Sequence, residues 1–385
     1  MDKIKYYPVG NGDMSLIILR DGTTIAIDCN IRQTSVDSTD GTCFDVKKDV
    51  LASIKKRNDN PFIDSFVLTH GDLDHCRGFK NHYYCGDPNA YSQEDRDNKL
   101  ILIDELWFSP MIAEEHSNDD EDAFQQEAER RLDLHITEHP DRNLPGNRIR
   151  IIGYDGNKDY QKLNYLRLTP GKVVSTFNEK AQTTFSLFIH APFKETLASA
   201  EPGKNTNSIV FQARFKEKAD DDDFAVLAMF GGDADYIAWE IIVTKTIESG
   251  KAESEKALDW DIFLAPHHCS WTFFNEHNEK EEAKESSLEV LRYRRSGGLI
   301  ISSSKKIEDD DDNPPCYLAK TEYLKVLNKS SEFINTAEHK SEEYQEPIEF
   351  TISANGPVQP VKSDVSAARG SAGGSGAAAI TIYQG

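Results

Sequence analysis

Apolar positions in this chain fall in short clusters broken by polar turn residues. Residues 3–9, 14–20 and 24–28 are apolar or β-branched, and Asn11-Gly12-Asp13 and Asp21-Gly22-Thr23 between them are hairpin-turn sequences, which predicts three early strands. Val46, Val50, Leu51 and Ile54 recur at helical spacing within 44–57. Residues 64–69 read as a buried strand that stops at a polar turn rich in metal-capable side chains. Further strands are predicted at 100–108, 147–153, 185–190, 208–215, 224–230, 261–265 and 298–303, with helices at 118–134, 234–249, 281–293 and 318–328. In 234–249, Ile237, Ile241, Ile242 and Ile247 could form one apolar face. Alternating strands and helices predict a mixed α/β layered fold. The acidic helix 118–134 reads as an insertion, 363–378 as a flexible Ser/Gly/Ala-rich segment, and 379–383 as a last strand.

Composition narrows the class. The 385 residues are 38% hydrophobic and 10% aromatic, enough for one large core or two smaller ones. The longest apolar run, 224–230, is far short of the ~18 residues of a membrane helix, and Met1-Asp2-Lys3-Ile4-Lys5 lacks a signal-peptide core. A cytoplasmic protein with no membrane partner is expected. The six cysteines contain no C-x-x-C pair, against a zinc ribbon or a thioredoxin-like redox pair. With 44 basic and 66 acidic residues the formal charge is −22, which disfavours broad non-specific binding along nucleic acid. Whole-surface charge does not describe a cleft, however, and an enzyme that grips one phosphodiester through cations stays open. The acid runs 220–223 and 308–312 read as solvated loops.

The chemistry concentrates in Thr69-His70-Gly71-Asp72-Leu73-Asp74-His75-Cys76-Arg77-Gly78, where four metal-capable side chains fall within six residues directly after a strand. Imidazole and carboxylate suit Zn²⁺, Mn²⁺ or Fe; the plainer alternative is a polar turn with two surface histidines. The stretch is not isolated. Asp233, in Phe230-Gly231-Gly232-Asp233-Ala234-Asp235, also follows an apolar strand, and 261–265 leads into Pro266-His267-His268-Cys269-Ser270.

These three strand ends resemble the metallo-β-lactamase-fold hydrolases, whose signature is H-x-H-x-D-H after one strand, an Asp after a later one and then a further His. Within them the chain is most similar to the metallo-β-lactamase domain of ComEC-type DNA-uptake proteins. Tyr7-Pro8-Val9-Gly10-Asn11-Gly12-Asp13 resembles that group's V-G-Q-G-D opening, Thr24-Ile25-Ala26-Ile27-Asp28 its L-I-D strand, Asn205-Thr206-Asn207-Ser208-Ile209-Val210 its N-x-x-S strand, and Pro266–Ser270 its P-H-H-G-S. The resemblance implies a metallo-β-lactamase-like αββα sandwich, two mixed sheets flanked by helices. It implies a single domain over 1–360 with insertions near 110–145 and 155–180, followed by the segment 361–385. It implies one or two divalent metals held by His70, Asp72, Asp74 and His75, a bridging Asp233, and His267 or else His268 as last ligand. Asp74 is the candidate to orient a metal-activated water or take its proton.

Two departures stand out. Asp72 occupies the position of the second histidine, as an acidic residue does in flavodiiron proteins, which favours Mn²⁺ or Fe over Zn²⁺. The superfamily's middle histidine has no clear match: His190, in Phe188-Ile189-His190-Ala191-Pro192, is either that ligand or an ordinary strand-end histidine. Asp13 and Asp28 could hydrogen-bond ligands or cap turns. Asn207 and Ser208, with the basic Arg294 and Lys305, are candidates to line the cleft and hold phosphate. The expected activity is a metal-dependent phosphodiesterase or nuclease acting on DNA, RNA or a cyclic nucleotide. The alternatives are a small-molecule hydrolase, of a cyclic nucleotide or lactone, and a metal-stabilised subunit of a protein complex without catalysis.

Overall fold

A computed structural model describes residues 1–33, 43–112, 118–154, 159–194, 205–276, 282–341 and 344–359. The segment 363–378 and the last strand expected at 379–383 lie outside these residues.

The chain forms a mixed α/β structure built on two large mixed sheets. The first runs, edge to edge, through Gly356–Val358, Ile348–Ser353, Lys3–Tyr6, Ser15–Ile18, Thr24–Ile27, Asn60–Val67, Leu102–Phe108, Arg148–Ile152 and Arg167–Leu168, with Lys55–Arg57 paired to the start of Asn60–Val67. The second runs through Phe333–Asn335, Arg294–Ser302, Trp260–Leu264, Val226–Phe230, Val210–Phe215, Phe185–Ala191 and Val173–Val174. The early hairpins are antiparallel, whereas Thr24–Ile27, Asn60–Val67 and Leu102–Phe108 lie parallel, as do Val226–Phe230, Trp260–Leu264 and Arg294–Ser302.

The alternation of side chains along a strand decides the packing. Phe211, Ala213, Phe230, Ile262, Leu264 and Ile301 face the first sheet, and Tyr6 stacks on Phe230 across the gap with ring centroids 5.8 Å apart. Their neighbours Val210, Met229, Phe263 and Ile300 face the other way and build a second core with the helices Tyr236–Glu248, Glu285–Arg292 and Tyr317–Lys325. The helix Asp119–Ile136 covers the outer face of the first sheet, where Phe124 packs on Phe66 and Phe79. Its acidic sequence hides an amphipathic helix: Asn118 caps it and Phe124, Ala128 and Leu132 are buried.

Two sequence expectations need correction. The buried face of Tyr236–Glu248 is Ala238, Trp239, Ile242 and Val243, while Ile237 and Ile247 are exposed, because the aromatic Trp239 sets which stripe meets Phe263 and Phe273. The helical pattern at 44–57 ends at Ser53, and Asn58 and Asp59 at φ 50° and 64° reverse the chain into a hairpin. A strand the sequence pattern did not single out, Ile348–Ser353, joins the first sheet beside Lys3–Tyr6.

Among the described residues no helix is long and apolar enough to cross a membrane.

Candidate metal centre

The parallel strands place their carboxyl ends on one side, the usual place for ligands in open α/β sheets. Thr24–Ile27 ends at Asp28, Asn60–Val67 runs into the turn 68–76, Val226–Phe230 into Gly231-Gly232-Asp233, and Trp260–Leu264 into Ala265-Pro266-His267-His268. The hairpin loop after Lys3–Tyr6 adds Asp13, whose amide donates to the carbonyl of Asp74 at 3.1 Å. Backbone strain accompanies this convergence: His267, His268 and Cys269 are successive left-handed residues at φ 49°, 53° and 67°. Gly232, at φ +49°, lets Asp233 close on the 68–76 turn; a Cβ there would meet Thr69 Oγ1 at 2.9 Å.

His75 is fixed at both ring nitrogens, Nδ1 lying 3.0 Å from Asp28 Oδ2 and Nε2 2.8 Å from Asp233 Oδ1. Asp28 is itself held by the amide and hydroxyl of Thr69, at 2.7 and 2.6 Å. His268 Nε2 lies 3.2 Å from Asp74 Oδ2 and 3.6 Å from Asp233 Oδ1, and its Nδ1 is 3.5 Å from Asp13 Oδ1. His267 Nε2 is 3.6 Å from Asp233 Oδ2. The Nδ1 of His267 is held by Thr272 Oγ1 at 2.8 Å and by Asn205 at 3.3 Å. The amide of Asp72 donates to His70 Nδ1 at 3.2 Å.

Charge and burial pull against one another here. Burial opposes the imidazolium of His75, but Asp233 and Asp28 outweigh it and raise the pKa well above the ordinary histidine value. Burial opposes the His268 cation too, and Asp233 and Asp13 push that group up to about 10. For Asp74 burial raises the pKa, yet the adjacent His268 and His75 prevail and hold it down at about 2. For Asp233 the same contest, with three imidazoles around it, leaves the carboxylate well below its usual range.

Two groups of side chains each offer one ligand atom, all within 4.8 Å of one another: Asp13, His75, Asp233 and His268, all buried, and His70, Asp72 and Asp233. Asp233 belongs to both. The first group can hold a metal ion, and its donors suit one. Asp13 Oδ1 and both ring nitrogens of His268 are buried without a well-directed hydrogen bond, an arrangement a cation would satisfy. Asp28 on the far nitrogen of His75 supplies the carboxylate that orients metal-binding histidines.

The structure therefore brings His70, Asp72, His75, Asp233 and His268 together, with Asp74 and His267 at the margin of the two groups. His268 rather than the preferred His267 enters the buried group. Ser208 Oγ accepts from the amide of Asp233 at 3.2 Å, and the neighbouring Asn207 is buried. His190 stands apart. It is 1% exposed, packs beside Phe188, and bonds the carbonyl of Ala257 at 2.9 Å through Nε2; burial lowers its pKa to about 3. It is a histidine of the strand Phe185–Ala191, in neither ligand group. Arg294 sits at the opposite end of its strand from Ser302 and is engaged by Glu332 and the carbonyls of Gly298 and Val326, so it does not line the centre. Lys305 is paired with Asp312, and its amide is held by Asn11 at 2.9 Å, on the loop that carries Asp13. Asp13 was legible as a turn residue and not as a ligand; its only signal was the loop it shares with the resemblance to V-G-Q-G-D.

No protein-family model matches the chain, and no curated protein matches it significantly.

Proposed function

We propose that the chain is a metal-dependent hydrolase of phosphodiester bonds, a nuclease of the metallo-β-lactamase type. The observation that carries this reading is the single carboxylate of Asp233 common to two adjoining groups of ligand atoms at the strand ends. In this reading Asp13, His75, Asp233 and His268 hold one divalent cation, and His70, Asp72 and Asp233 hold the other. Three of the six distinct side chains, Asp13, Asp72 and Asp233, are hard oxygen donors, which favours Mn²⁺ or Fe over Zn²⁺. Divalent cations supply Lewis acidity toward a phosphoryl oxygen and a water acidified toward neutrality.

The remaining side chains have roles of their own. Asp28 fixes the ring of His75, and Thr69 fixes Asp28. Thr272 and Asn205 orient His267 toward Asp233. Asp74 keeps its side chain 30% exposed at the edge of the site, with Oδ2 3.2 Å from His268 Nε2. It orients a water by accepting its hydrogen bond.

The test is hydrolysis of bis(p-nitrophenyl) phosphate and of single-stranded DNA by protein loaded in turn with Mn²⁺, Fe²⁺ and Zn²⁺. Turnover that Asp233→Ala abolishes supports the reading. Bound metal without turnover of either substrate overturns it in favour of a metal-stabilised subunit, and turnover of lactones alone overturns it in favour of a small-molecule hydrolase.

A further inference from the structure

Nearly every guanidinium among the described residues is engaged. Among the described residues the arginines donate to carboxylates or carbonyls or lie over a ring, as Arg20 does with Asp2, Arg131 with Glu127 and Arg96 with Tyr91. Arg32 and Arg77 are the exceptions. Neither makes a side-chain hydrogen bond, ion pair or ring contact with the described residues, and the Nε of Arg32 is buried without a partner.

The two stand side by side, next to the metal centre. Residues 29–31 run along 75–77, with the amide of Cys29 on the carbonyl of His75 at 2.7 Å and that of Ile31 on the carbonyl of Arg77 at 2.9 Å. Asp28 and His75 mark the inner end of this pair of segments, and Arg32 and Arg77 the outer end. At about 3.3 Å per extended residue, the two arginine backbones lie no more than about 7 to 13 Å from the Asp28–His75 contact. The side chain of Arg32 crosses the loop that leads to Asp13: its Nη1 lies 3.0 Å from where a Cβ of Gly10 would be, and Gly10 is at φ +78°. Both arginines are half-buried. Burial first, with the neighbouring charge of Arg77, lowers the pKa of Arg32.

Two adjacent cations that no carboxylate among the described residues pairs repel, and an anion that bridges them relieves the repulsion while accepting charge-assisted hydrogen bonds. That such a pair persists beside the candidate centre of a chain with net charge −22 points to a bound anion rather than to general surface charge. We propose that Arg32 and Arg77 grip a second phosphate of the substrate, a few nucleotides from the bond that is cut. The substrate class is then an oligonucleotide or another chain of phosphodiesters. A cyclic nucleotide or lactone would leave the pair empty. The proposal rests on the hydrolase reading above.

The experiment compares Mn²⁺-loaded wild type with Arg32→Gln, Arg77→Gln and the double variant on two substrates: bis(p-nitrophenyl) phosphate, with one phosphodiester, and a single-stranded oligothymidylate. The expected result is a loss of kcat/KM on the oligothymidylate at least ten-fold larger than on the small ester, carried mainly by KM. In parallel, fluorescence anisotropy of labelled oligothymidylate with metal-free protein should show binding weakened at least ten-fold in the double variant. The slope of log K against log salt should be shallower by about 0.7 per arginine removed. Equal losses on both substrates, or unchanged anisotropy, overturn the proposal. If wild type cleaves neither substrate, the hydrolase reading fails, and the anisotropy still decides whether the arginine pair holds phosphate.

Discussion

Asp28 shows how one buried carboxylate can govern a site it does not enter. Among the described residues its carboxylate bonds Thr69 and His75, and it fixes the ring that offers Nε2 to the candidate centre. Asp28→Asn, which tolerates the left-handed backbone at φ 58°, should lower metal affinity about 10- to 100-fold with little change in circular dichroism; calorimetric titration with Mn²⁺ checks this, and unaltered affinity would refute it. His190 gives a pH prediction. Its folded pKa of about 3 lies below the ~6.5 of an unfolded histidine, so above pH 6.5 the group contributes nothing to the pH dependence. Between 6.5 and 3 the unfolded chain takes up a proton that the folded one refuses, and stability falls with pH by up to ~1.4 kcal/mol per unit from this residue. His190→Gln should therefore lose less stability than wild type between pH 6.5 and 4.5 in urea titrations; parallel acid slopes would sink the assignment. These residues also mark the limit of reading the site from sequence. His70, Asp72 and His75 stood out because four candidate donors within six positions are improbable by chance. Asp13 sits in an Asn-Gly-Asp stretch that reads as an ordinary turn, and His190 sits near the end of an apolar strand where a packed histidine and a ligand look alike.

The strand ends carry the site, and they were the most legible elements. Apolar runs that stop at Thr69, Gly231 and Ala265 declare a strand and its polar terminus together. Edges were harder to see. Ile348–Ser353 alternates buried and half-buried residues in the pattern of an edge-facing strand, but its partner is the first strand of the chain, and no local signal specifies a pairing across so long a separation. The inward face of Tyr236–Glu248 was misplaced because four isoleucines outvoted one tryptophan in a count of apolar positions. Trp239 is fully buried against Phe263 and Phe273, so Trp239→Ala should cost about 3–5 kcal/mol, whereas Ile247→Ala, at an exposed position, should cost little. Chemical denaturation of the two variants separates them; equal losses would mean that the helix packs on its other face.

At the scale of the whole molecule the acidic excess and the candidate metal centre bear on one another. Asp13, Asp28, Asp74 and Asp233 gather within reach of His75 and His268, so a cation there offsets negative charge that the fold has concentrated. Removing metal by EDTA dialysis should lower the thermal midpoint, and Mn²⁺ at about a hundred times its dissociation constant should restore about 2.7 kcal/mol; a midpoint indifferent to both treatments would argue that no cation binds the folded state. The layered α/β arrangement followed from the alternation of elements, whereas the way the two sheets face each other depends on contacts such as Tyr6 on Phe230, which no periodicity reveals. The position of Asp233 has a final consequence for loading. Its two oxygens face different neighbours, Oδ1 toward His75 and His268 and Oδ2 toward His267. On the two-cation proposal, a first ion that draws on this one negative charge would leave less of it for a second, so the affinities should differ stepwise, a half-filled species should dominate at limiting metal, and a binding isotherm should break into two phases.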